Sequence, residues 1–442
     1  MEKSLVARFM KYISINILGM VGVSCYILAD TFFISKALGT GGIAALNLSI
    51  SVYSILHGVG LMLGIGGASR FNILLSQRKD REANVVFSTA LRIGILTGLL
   101  FLLLGLFGSN LLALALGADS VTLPLTRTYL TTILGFAPFF ILNNILLAFV
   151  RNDHNPRLSM VAMLVGSLAN ILLDYIFMFP LHMGMFGAAF ATGLAPIISI
   201  GILLLHFTKR RERRLALLKH PCKWSLLPDL CRLGASALIN ELSSAVVLIT
   251  FNLVILGLEG NTGLAAYGIV ANLALVVMAV FTGLAQGTQP LISKYYGLQR
   301  FDFLRKVRRY ALLASVIIAL LIYLAVLITG EQILEVFNSG SDPVIASLAK
   351  QGLQIYFLGF FFAGVNIVVA TYLSATEAVR AAFVISISRG FLIITPAVVV
   401  LGSYWAMTGV WLSFGLTELV VTFLAVRLRR RVKEGLLIER KA

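Results

Sequence analysis

Apolar residues run along this chain in long blocks separated by short polar breaks. Twelve such stretches stand out, near 10–36, 43–70, 84–108, 121–149, 157–180, 186–208, 229–257, 263–294, 307–330, 345–375, 380–402 and 406–428. A helix needs about 20 mainly apolar residues to cross the hydrocarbon core, and the longer stretches imply tilt or extension beyond it. Backbone groups in lipid must be satisfied within their own segment, so the stretches are predicted to be helices. The pattern predicts an all-α integral membrane protein with twelve transmembrane helices, called spans 1–12 below.

The pattern also repeats. Gly39, Gly42, Ala44, Ala45, Gly66, Ala90 and Leu91 recur 221 positions later as Gly260, Gly263, Ala265, Ala266, Gly287, Ala311 and Leu312. After one inserted residue, Gly187, Gly193 and Leu194 pair at an offset of 222 with Gly409, Gly415 and Leu416. The longest polar break, Lys209–Pro228, lies at the midpoint. It predicts an N-terminal lobe over 1–208 (spans 1–6), a basic cytoplasmic linker over 209–228, and a C-terminal lobe over 229–442 (spans 7–12) with a basic tail. Six spans is an even number, so both lobes enter the membrane in the same direction and the repeat is parallel. A duplicated helical bundle is the usual build of a secondary transporter.

Composition sharpens this reading: 59% of residues are hydrophobic and only 12% charged. The net charge of +17 would suit nucleic acid, but its placement does not. With both termini cytoplasmic, all of the 36 Lys and Arg except Lys36, Arg127 and Lys350 fall on the inner side. That asymmetry is the positive-inside rule, so the basicity reads as a topology signal of a multi-pass membrane protein. Arg427, Arg429, Arg430, Arg431 and Lys433 in the tail are expected to meet anionic headgroups of membrane lipids. Cys25, Cys222 and Cys231 have no metal or disulfide spacing, and span 1 reads as a retained helix, not a cleaved signal. Pro138, Pro196, Pro290 and Pro396 lie inside spans, where they can kink a moving helix or simply be tolerated.

Of the 19 acidic residues, only Asp30, Asp174, Glu241 and Glu418 lie well within spans. A carboxylate there costs roughly 2.5 kcal/mol or more unless it finds a partner, a proton or a cation. Ser167, Asn170 and Asp174 share one face of span 5. Asp30, with Tyr26 one turn earlier, and Thr192 fall at a similar depth in spans 1 and 6. This set can surround a Na⁺, share a proton between carboxyls, or hold three helices together by hydrogen bonds. Glu241 can attract a cationic substrate, carry a proton, or make a structural bond. Spans 11 and 12 form a hairpin that puts Arg389 and Glu418 at matching depth, which reads as a structural salt bridge. Gln286 and Gln289 in span 8, and Asn143 and Asn144 in span 4, line a cavity or bond between helices. His57 and His182 stand alone and read as satisfied side chains, and Phe136, Phe139 and Phe140 as packing or cavity lining. No phosphate-binding loop, no paired nucleophile and base, and no ATPase domain is visible, so the chain is not read as an enzyme and no cofactor is expected.

Five segments together resemble the multidrug and toxic compound extrusion (MATE) family. They are ADTFFISKALGTGGIAALNLS in span 1, LMLGIGGASRFNILLSQ in span 2, NILLD in span 5, FGAAFATG entering span 6 and GTQPLISKYYG closing span 8. The similarity covers nearly the whole chain and is strongest to the bacterial DinF-like and MepA-like branch. It implies two six-helix lobes around a V-shaped central cavity, and export of lipophilic organic cations against Na⁺ or H⁺ entry. It places the first-lobe cation or proton-coupling site on Asp30, Asn170, Asp174 and Thr192, as metal ligands if the ion is Na⁺. Tyr26 and Asn144 fall in the lobe's polar lining, and Glu241 matches the family's span 7 acid. Many NorM-type members carry a span 10 acid; here FFFAGVNIVV has none, and Asn366 is its nearest polar residue.

The expected function is multidrug efflux by an antiporter of the bacterial inner (plasma) membrane working through alternating access, conferring drug resistance, with small-molecule lipophilic cations as cargo. A monomer without nucleic-acid partners is expected. The alternative is a flippase for a lipid-linked sugar or an exporter of a specific metabolite; a flippase would need a strongly cationic cavity. An integral-membrane transferase would need a polar cluster at a membrane face, and a passive channel suits the acid cluster poorly.

Overall fold

A computed structural model describes residues 2–208, 214–219, 222–337 and 342–438. All long elements among them are helices: α1 (Glu2–Ser76), α2 (Asp80–Ala115), α3 (Leu123–Gly135), α4 (Ala137–Asn152), α5 (Pro156–Met178) and α6 (Gly184–Leu204), then α7 (Leu227–Gly297), α8 (Phe301–Phe337), α9 (Pro343–Tyr356), α10 (Phe360–Ala375), α11 (Val379–Ile387) and α12 (Ile394–Ile438). Among the described residues eight helical runs are long and apolar enough to cross a membrane, and the α3–α4 pair, bent by 51°, is a ninth. The bend falls at Phe136, just before Pro138 in the first turn of α4. Pro196 and Pro290, by contrast, sit inside α6 and α7 without breaking the helix there.

Three of the runs are two spans joined without a loop. Helix α1 breaks at Gly39 (φ 62°, ψ −150°), α7 at Gly260 (φ 58°, ψ −145°), and α12 at Trp405 and Ala406 (φ 47°, ψ −136° for Ala406). Splitting there gives the twelve spans read from hydropathy. Gly39 and Gly260 are repeat partners, and both occupy left-handed backbone that only glycine enters without strain. The repeat extends to other turns. Arg78 (φ 61°) matches Gln299 (φ 56°) at an offset of 221, and Gly184 (φ 56°) matches Ala406 (φ 47°) at 222.

The chain divides into two compact units, Met1–Leu242 with Ser293–Arg300, and Ser243–Ile292 with Phe301–Ala442. In the first unit α1 packs on α4, α5 and α2 around Leu56, Phe71, Phe87, Ile141 and Phe149. The start of α7 joins this unit because backbone meets backbone: a Cβ on Gly66 would overlap the Leu230 carbonyl, and one on Gly234 would overlap that of Met62. Small residues allow such approach where no water drives helices together. Phe107 and Leu111 of α2 stay largely exposed, as a lipid-facing surface requires.

The linker's residues 209–213 and 220–221 lie outside those described, and so do the side chains beyond Arg430 in the tail. Arg214–Leu218 runs along α2 and is held by its backbone. Asn84 accepts from the Ala216 N–H at 2.7 Å and donates to the Arg214 carbonyl at 3.0 Å. One turn on, Ser88 accepts from the Leu218 N–H at 2.9 Å, and Arg92 donates to the Leu218 carbonyl at 2.8 Å. Asp153, buried after α4, accepts from the Arg214 and Leu215 N–H groups and lies 2.8 Å from His206 Nε2.

The second unit is built around Trp411, Phe251, Phe281, Phe357 and Phe360, with Tyr356 and Phe414 stacked at 4.2 Å. Between α11 and α12 the helix widens into one π-turn, Ser388–Leu392, closed by Ile393 N–H to Ser388 O at 3.0 Å. Pro396 follows directly and lacks the N–H that would keep tighter winding in step.

Candidate functional site

Helices α1, α5 and α6 bring the polar residues of the first unit together. Asp174 and Asn170 are fully buried on α5, and Asp30 of α1 and Thr192 of α6 nearly so. With its amide nitrogen toward α5's next turn, Asn170 donates to Asp174 Oδ2 at 3.1 Å and accepts from the Thr192 N–H at 3.2 Å. That orientation satisfies both ends of the amide; the reverse leaves its nitrogen 3.4 Å from Thr192 Oγ1. The Thr192 hydroxyl donates back to Ala188 O at 3.0 Å, which leaves its lone pairs available.

The two carboxyls interact electrostatically with each other. Each has one oxygen, Asp30 Oδ1 and Asp174 Oδ1, buried without a hydrogen-bond partner. Among the described residues no Lys or Arg pairs with either. Unpartnered oxygens of this kind, beside an amide and a hydroxyl, can take up a proton or an oxygen-seeking cation.

A second group begins on α1. Tyr26 and Tyr53, on opposite sides of the Gly39 break, share a hydrogen bond of 3.2 Å between hydroxyls. Tyr53 packs edge-on to Phe140 of α4 and stacks on His57 at 5.8 Å and 8°. His57 Nδ1 lies 3.2 Å from Glu241 Oε1 of α7, both side chains remaining partly exposed. Tyr26 interacts electrostatically with Asp30, Asp174 and Glu241 alike, so the two groups are adjacent.

The second unit is organised differently. Arg389 donates to Glu418 Oε1 from Nε at 3.0 Å and from Nη2 at 2.6 Å. Asn366 donates to Glu418 Oε2 at 2.7 Å and to the Glu418 carbonyl at 2.8 Å, and accepts from Thr422 at 3.0 Å. This acid is closed off by a permanent counter-charge, as the hairpin reading expects.

The MatE family profile matches residues 16–176 and 237–400, which include parts of both units. The chain belongs to the MatE family. Among MatE relatives it is similar to the multidrug export protein MepA of Staphylococcus saprophyticus subsp. saprophyticus, 26% identical over 99% of this chain and 97% of that protein. The MepA of Staphylococcus haemolyticus is 27% identical over 99% and 96%. Its fold is similar to an outward-facing multidrug resistance MATE family transporter of the MOP superfamily, with a TM-score of 0.90, 22% identity and coverage of 97% and 96%. A MOP superfamily transporter from Pyrococcus furiosus gives 0.88 at 21% identity, covering 96% and 95%.

Within this MatE chain the other residues singled out from sequence fall in separate places. Asn144 is buried where Gly60 and Gly64 pass close to α4. Gln286 and Gln289 belong to the second unit, Gln289 buried and Gln286 half-buried. Tyr53 and His57 went unrecognised as site neighbours, because a tyrosine and a lone histidine at helical spacing look like ordinary packing.

Proposed function

We propose that this protein is a secondary active multidrug efflux antiporter that exports lipophilic, mostly cationic organic compounds in exchange for Na⁺ or H⁺. The observation carrying this is the pair of buried, unpartnered carboxyl oxygens on Asp30 and Asp174. A carboxylate in that setting needs an exchangeable positive guest, and an antiporter supplies one. The names of the MepA relatives support the cargo class. The coupling ion binds at Asp30, Asn170, Asp174 and Thr192; Tyr26, Asn144, Glu241, Gln286 and Gln289 serve the cargo. Ion binding drives export only if the ion binds the inward and outward states with different affinity. The distribution of Lys and Arg supports an inner-membrane position with both termini cytoplasmic.

The test is efflux of a fluorescent organic cation from proteoliposomes, with Na⁺ and pH gradients imposed separately. Asp30→Asn and Asp174→Asn are expected to abolish gradient-driven efflux while the proteins still insert and fold. Unimpaired efflux by both variants would remove the mechanism.

A further inference from the structure

The His57–Glu241 pair is held together by construction. Gly58 lies beneath it: a Cβ there would come within 2.8 Å of Leu238 and 3.3 Å of the Glu241 Cβ. With Gly66 against Gly234 further along, α1 and α7 are in register along one edge, and Glu241 faces His57 at the end of it. His57 Nδ1 has no hydrogen-bond partner. Glu241 Oε1 lies 3.2 Å from it, and the Tyr53 ring stacks on the imidazole.

The surrounding charges are few. Glu241 faces His57 from α7; Tyr53, Tyr26 and Asp30 lie along α1; Asp174 on α5 is reached through Tyr26. Phe140 and Asn144 of α4 carry no charge, and among the described residues no Lys or Arg pairs with Glu241. The histidine is therefore the one side chain here that can present Glu241 with a positive charge.

We propose that His57 is a built-in competitor for cationic cargo at Glu241. The imidazolium occupies the carboxylate, and the neutral imidazole yields it to a cation. This rests on the cationic-cargo reading above and adds to it a second proton-sensitive element, separate from the Asp30 and Asp174 carboxyls. Histidine side chains change charge between about pH 5 and 8. Charging the competitor is expected to weaken cargo binding about tenfold.

The experiment is equilibrium binding of ethidium and of tetraphenylphosphonium to the purified full chain in nanodiscs across this range. It is run on the wild type and on a background carrying Asp30→Asn and Asp174→Asn, which removes the other acids' response. Loss of affinity on acidification is expected in both. His57→Gln is expected to bind at acid pH as tightly as the wild type does at neutral pH. In that background His57→Arg is expected to bind weakly at every pH, and Glu241→Gln to bind weakly with no pH slope. An undiminished slope in His57→Gln, or tight binding by His57→Arg, overturns the proposal while leaving the transport reading intact. A wild type that binds neither probe at any pH overturns the cationic-cargo reading and this proposal together.

Discussion

Arg389 places two guanidinium nitrogens on a single oxygen of Glu418, while Asn366 takes the other. Breaking such a buried pair strands a charge at a cost of about 3–5 kcal/mol, whereas replacing both partners by apolar groups is often near neutral. Arg389→Met and Glu418→Leu are each expected to lower the thermal midpoint of the purified protein sharply. The double variant should recover most of the loss and keep its transport activity per folded molecule. A double variant as unstable as either single one would show that the network serves another end.

Asn170 links Asp174 to α6. Removing its donor leaves a buried acceptor unmet, worth about 1–3 kcal/mol. Asn170→Ala is therefore expected to weaken coupling-ion binding roughly tenfold or more, seen as a shifted half-saturation of ion-driven efflux. Cargo binding at neutral pH should barely change.

Ala406 occupies the left-handed backbone that its repeat partner Gly184 occupies freely. Such strain costs on the order of 1–3 kcal/mol in a residue with a Cβ. Ala406→Gly should raise the thermal midpoint, and Gly39→Ala or Gly260→Ala should lower it. Denaturation curves of the three variants test the signs independently.

Outside the membrane, Asp119 between α2 and α3 accepts from the Thr122 N–H and hydroxyl, both at 2.8 Å, and from the Val121 N–H at 3.1 Å. These bonds, led by the backbone of Thr122, hold its carboxyl below the ordinary value of 3.8. A depressed folded value means the contribution is present above the ordinary value and is lost as pH falls through the lower one. Hydrogen exchange at 118–123 should quicken in that acidic window, and Asp119→Asn should quicken it already at neutral pH.

The spans, the doubling and the Arg389–Glu418 pair were legible in the sequence, since each rests on periodicity or on depth along a hairpin. The Asn170, Asp174 and Thr192 grouping was legible for the same reason: one helix face and one shared level. His57 with Glu241 was not. Their meeting depends on Gly58, Gly66 and Gly234 letting two distant helices touch, and glycines in apolar runs announce no partner. Nor was the grip of Asn84, Ser88 and Asp153 on the linker backbone visible. Backbone acceptors and donors are the same in every sequence, so only the folded path shows which side chains meet them. The bend before Pro138 and the π-turn before Pro396 were foreseeable as kinks, while the unbroken helices at Pro196 and Pro290 show that neighbouring packing decides which proline bends.

Asp30 and His57 ride on two arms of one helical piece, joined at Gly39 with no connecting segment. Any tilt of the first arm has a single backbone joint in which to dissipate before it reaches the second. The pair of arms is then a lever with glycine as its fulcrum, and movement along the backbone from Asp30 to His57 has one joint to cross.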